Sequence, residues 1–136
     1  MDPLRRQLTD PQVKRLLKAV ERLLAFDREV PGQVMATLLY IAAHDNCHKQ
    51  ALEEDLKFTT ASASRNTDKL SRLHRLGKPG FDLIIKEADP SNKRRQQLRL
   101  TKKGQRLIEQ IKEDLYGNET PDVSGQATTE VNDQEL

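Results

Sequence analysis

The sequence has no tryptophan, only 4% aromatic residues and one cysteine among 136 residues. So few rings argue against a large aromatic-lined ligand pocket and leave an aliphatic core as the expectation. The single thiol, Cys47, excludes an internal disulfide and fits a reducing compartment. No apolar run approaches the ~20 residues that span a bilayer. Residues 1–15 lack the apolar centre of a secretion signal, so a cytoplasmic protein is expected.

Charge is what the chain has in quantity, and it is segregated. Residues 117–136 contain Glu119, Asp122, Glu130, Asp133 and Glu135 and no Lys or Arg, a net of −5. All 23 Lys and Arg therefore precede residue 117, against 16 of the 21 acids, a net of +7. Within 59–106, 13 basic residues face Asp68, Asp82, Glu87 and Asp89, a net of +9. Such clustering is the electrostatic footprint of a nucleic-acid-binding domain, and it is also common on solvated surfaces.

The periodicity predicts a mainly α fold with one small β-hairpin. Residues 1–9 read as a flexible N-terminus, 10–116 as one folded domain and 117–136 as an acidic disordered tail. Asp10-Pro11 is a helix start. Apolar residues from Val13 to Phe26 recur at helical spacing to about Arg28. That stripe is wide for a lone surface helix, and packs either on the chain's own core or also on a second copy. Val34 to Ala42 form an almost all-round apolar helix, central to the core. A short helix near 48–56, a turn at Lys57–Thr60 in which either threonine can cap the next helix, and a helix over 60–76 make a helix-turn-helix candidate. Phe81, Leu83 and Ile85 alternate with Asp82, Ile84 and Lys86 as a half-buried strand. Asp89–Asn92 turns the chain, Gln96–Leu100 pairs back, and Thr101 caps a last helix to Tyr116.

Two stretches carry the functional chemistry. Ala61 to Thr67 are small or hydrogen-bonding residues with little bulk, which lets a helix backbone approach base edges. The same small residues also suit tight helix packing. Lys93, Arg94 and Arg95 crowd the hairpin tip, where they repel one another and gain nothing from folding; phosphate is the external anion that suits them. A polar helix followed by a cationic hairpin is how a winged helix-turn-helix holds duplex DNA. The candidate DNA-binding residues are Thr60, Ser62, Ser64, Arg65, Asn66, Lys69, Arg72, Lys93, Arg94 and Arg95. The helix at 60–76 is expected in the major groove, and the wing at 82–100 on the backbone or minor groove.

The stretch Asp89-Pro-Ser-Asn-Lys-Arg-Arg-Gln-Gln-Leu-Arg-Leu-Thr-Lys-Lys-Gly104 resembles the wing of the MarR family of bacterial and archaeal regulators. Those wings carry Asp-Pro-x-Asp-x-Arg, an alternating strand, then Leu-Thr-x-x-Gly. Ser64-Arg65, Asp68-Lys69-Leu70 and Leu73 resemble that family's recognition helix, and the helix order matches along 10–116. The resemblance implies a sequence-specific, nucleoid-associated transcriptional regulator of prokaryotic or viral origin, acting as a homodimer on a roughly palindromic site. The dimer would use about 10–28 and 101–116. Ser62, Ser64, Arg65 and Asn66 would face bases or phosphates, and Arg94 would lie near the minor groove. Asn92 stands where the family has an aspartate that orients the wing arginine, so that salt bridge is not expected here.

Rival readings are an architectural or non-sequence-specific DNA binder, and a winged helix that binds the transcription machinery. No enzyme, cofactor or metal site is expected. His44, Asp45, Cys47 and His48 cluster in sequence, but structural zinc takes four ligands and His74 is the only other histidine. Nothing in the chain forms the signature of a small-molecule effector pocket.

Overall fold

A computed structural model describes residues 6–72 and 77–117. In chain order the elements are α1 (Pro11–Leu24), α2 (Gly32–Ala43), β1 (Cys47–His48), α3 (Lys49–Asp55), α4 (Thr60–Leu70), β2 (Ile84–Asp89), β3 (Asn92–Leu100) and α5 (Lys102–Tyr116). The chain divides into two compact units, Leu23–Ile108 and the pair of segments Met1–Arg22 with Glu109–Leu136.

The larger unit is a winged helix-turn-helix. Its aliphatic core includes Leu38 of α2, Leu52 of α3, Leu70 of α4, Ile84 of β2 and Leu98 of β3, each at most 1% exposed. A side chain so enclosed contributes roughly 1.5–3 kcal/mol relative to exposure. The sheet is antiparallel in the order β1-β3-β2, with Ile84 opposite Leu100, Lys86 opposite Leu98 and Cys47 opposite Leu98.

Four sequence expectations change here. The first helix ends at Leu24, not Arg28: Asp27 accepts a hydrogen bond from the Glu29 amide, and Val30 N–H closes a turn onto the Asp27 carbonyl. Phe26 thereby leaves the helical stripe and packs its ring 5.2 Å from Phe81. The recognition helix ends at Leu70, because Ser71 turns extended (ψ 175°) and Phe81 and Leu83 donate to the Lys69 and Leu70 carbonyls. The incoming chain thus satisfies the exposed helix end. Gly80 permits this approach, since a Cβ there would overlap the Ser71 carbonyl oxygen. The rest of the expected helix, 73–76, lies outside the described residues.

Strand parity also shifts. Leu83 and Ile84 are both buried, and β2 begins only at Ile84, because Asp82 adopts φ +60° and turns the chain just before it. Finally, the short helix expected near 48–56 begins at Lys49, and Cys47–His48 before it form a third strand against β3, too short to show a period of its own.

The smaller unit contains most of α1 and the end of α5. Asp10 caps α1 as expected, its carboxylate accepting from the Gln12 and Val13 amides at 3.1 Å. Arg22 pairs with the buried Asp114 and holds that carboxyl below its ordinary range. Leu8, Val13, Leu16, Leu17 and Tyr116 are each at least 46% exposed among the described residues, which therefore leave this apolar stripe uncovered. The expected flexible N-terminus falls partly, and the acidic tail almost wholly, outside the described residues.

Candidate nucleic-acid interface

Two short helices and the tight turn between them build the site. Lys57 makes the turn in the left-handed region (φ +61°). Thr59 then caps α4, its hydroxyl oxygen accepting from the Ser62 amide at 3.0 Å. Thr60 donates to Glu53 of α3 at 3.1 Å, and Lys49 of α3 donates to Ser64 of α4. These bonds lock the two helices at their solvent edge, while Leu52, Ala63 and Leu70 lock them inside.

The small residues of α4 serve both jobs that the sequence left open. Ala63 and Thr67 are fully buried, and Thr67 returns its hydroxyl to the Ala63 carbonyl at 2.8 Å. Thr60, Ala61 and Arg65 are exposed on the other face, with Ser62 and Ser64 half-buried beside them. Arg65 donates to Ser62 Oγ at 3.0 Å, which leaves most of the guanidinium's five donors open.

Two of the candidate residues turn inward. Asn66 is 7% exposed and donates to Gln33 of α2 at 3.2 Å. Lys69 pairs with Asp27 at 3.0 Å and lies 5.7 Å above the Phe81 ring. Both brace α4 against the body of the unit. Arg72 is exposed beyond the helix end.

The wing is fixed at its base and bare at its tip. Buried Asp89 accepts from the Ser91 amide, from His48 Nε2 at 2.7 Å and from the Ser91 hydroxyl; these hydrogen bonds hold its carboxyl down at about 2. Glu87 and Arg99 pair across the strands. Asn92 accepts from the Arg94 backbone N–H at 3.1 Å, a local turn in place of the family's side-chain salt bridge. Lys93, Arg94 and Arg95 are exposed, and no carboxylate among the described residues pairs with them. The sequence reading gave His48 no part in the wing, because a two-residue strand carries no alternation that could signal it.

The polar residues near Cys47 do not converge. His44 stacks on Tyr40 at 4.0 Å, His48 turns to Asp89, and burial pushes the Cys47 thiol up to about 11. Among the described residues no group of His, Cys, Asp or Glu is arranged to hold a metal. None of the described helices is long and apolar enough to cross a membrane.

This three-stranded sheet with its helix-turn-helix defines the winged-helix class. Its likeness among solved structures is more particular. The chain is similar to S. aureus MepR in complex with DNA, at 24% identity over 79% of this chain and 81% of that one, with a TM-score of 0.62. It is similar to MepR bound to ethidium bromide, at 25% identity over 82% and 74% of the two chains, TM-score 0.58. A MarR transcriptional regulator from Methanosarcina mazei Go1 aligns at 15% identity over 76% and 68%, TM-score 0.55. The fold is therefore that of MarR-type transcriptional regulators. No protein-family model and no curated protein matches the chain.

Proposed function

We propose that this protein is a sequence-specific DNA-binding transcriptional regulator of the MarR type. The observation that carries the reading is the exposed face of α4, where Ala61 gives close approach and Arg65 offers a donor fork beside Ser62 and Ser64. An arginine fork suits the O6 and N7 acceptors of guanine in the major groove. The wing tip adds three cations that no carboxylate among the described residues pairs with, suited to backbone phosphate or a narrow minor groove. Asn66 and Lys69 act as braces in this reading, and Thr60, Ser62, Ser64, Arg65, Arg72 and Lys93–Arg95 are the contact set.

The protein acts as a homodimer. Leu8, Val13, Leu16, Leu17 and Tyr116 form the exposed apolar surface that a second copy would cover. Two recognition helices would then read two half-sites.

Selection of bound duplexes from a random pool, with solution mass measured alongside, tests both statements. A palindromic consensus bound by a dimer is expected. Salt-sensitive binding with no consensus contradicts the regulator reading and favours an architectural role.

A further inference from the structure

A cleft of about 580 Å³ opens between α3 and the wing, apart from the exposed face of α4. Its lining brings Lys49 of α3 together with Lys93, Arg94 and Arg95 of β3. Among the described residues Glu53 is the one carboxylate in that lining, and it already accepts from Thr60. Four cations around one recess repel one another, a cost that an oxyanion among them would reverse.

The walls are held in place before any ligand arrives. β1 pairs with β3 through His48 and Gln97, and His48 Nε2 reaches Asp89 at the wing base at 2.7 Å. Lys49 is held from the other side by its bond to Ser64 on α4. Lys49 therefore touches Ser64 on α4 and shares the recess with Lys93, Arg94 and Arg95 of the wing, so it stands between the two sets of candidate DNA contacts.

We propose that the cleft is a phosphate-binding seat, with Lys49 as a ligand on the α3 side and His48 as the positioning residue that fixes the gap. A phosphodiester of bound DNA and a free phosphate ester of nucleotide size present the same chemistry. Where DNA supplies the phosphate, the inference rests on the DNA-binding reading above.

The test uses the full chain and Lys49→Gln, which removes the charge and keeps a donor for Ser64. A DNA occupant predicts that the slope of log affinity against log salt falls by about 0.9, with the selected consensus unchanged. A free occupant predicts that ADP or pyrophosphate, added without DNA, shifts the amide resonances of 48–50 and 93–96, and that Lys49→Gln abolishes the shift. Either result supports the seat. An unchanged salt slope together with no resonance shift overturns it. Should Lys49→Gln fail to fold, Lys93→Gln at the exposed opposite wall reads the same two quantities. Wild-type protein that binds no DNA at low salt defeats the functional reading instead, and the ADP titration then decides the cleft alone.

Discussion

At the start of α4 the polar side chains are engaged: Thr59 caps the helix, Thr60 holds Glu53, Ser64 accepts from Lys49 and Asn66 reaches Gln33. At the wing tip Lys93, Arg94 and Arg95 are exposed, and no carboxylate among the described residues pairs with them. Hydrogen-bonded packing presents a few groups at defined positions, which suits reading base edges. Unpaired charge on long side chains attracts phosphate wherever it lies, which suits anchoring. Under the proposed function the two regions would divide recognition between geometry and charge, although both stand on one core.

The shared core is the first place to test that comparison. Leu70 of α4 and Leu98 of β3 are each 1% exposed. Leu70→Ala and Leu98→Ala should each cost about 2–5 kcal/mol of stability in denaturant titrations. A small loss at Leu98 would show that the wing base is not part of the core, and the division would then extend below the surface.

The next largest effect belongs to the α4 side. Thr59→Ala removes the cap on the Ser62 amide and should cost about 1 kcal/mol. Replacing Arg94 and Arg95 by alanine should change stability by no more than roughly 0.5 kcal/mol, since neither is buried and no carboxylate among the described residues pairs with them. Equal losses at both places would erase the contrast.

A further effect lies at the wing base and is read by pH. Hydrogen bonds from Ser91 and His48 hold Asp89 at about 2, below its ordinary value of 3.8. Its folded pKa lies below its unfolded one, so its contribution is present above about pH 4 and is lost as pH falls toward 2. Asp89→Asn should flatten the stability profile over that window. An unaltered acid limb would remove Asp89 as the wing's fastening.

Much of this was legible in the sequence for reasons that are local. Asp10-Pro11, the threonine cap before α4 and the turn after Asp89 are short-range signals, and α2, α3 and α5 lie where periodicity puts them, while β3 starts at Asn92 and takes Lys93–Arg95 out of the expected turn. What was not legible depends on residues distant in sequence. The end of α4 at Leu70 is set by the amides of Phe81 and Leu83. The inward turn of Asn66 and Lys69 is set by Gln33 and Asp27, more than thirty residues upstream. β1 exists only because Leu98 and Gln97 lie opposite Cys47 and His48. Among the candidate binding residues, composition could find the polar groups of α4 but could not sort those facing outward from those bracing it.

The contrast predicts that α4 reads sequence while the wing anchors, and a crossed experiment measures it most directly. Arg65→Ala and the double variant Arg94→Ala/Arg95→Ala are each taken through selection on random duplex DNA and a salt titration. Arg65→Ala should relax the consensus at one position, by about 1–3 kcal/mol of discrimination. The double variant should keep the consensus and lower the salt slope by about 0.9 for each phosphate it no longer neutralises. A consensus that changes with the wing variant and survives Arg65→Ala would contradict the division.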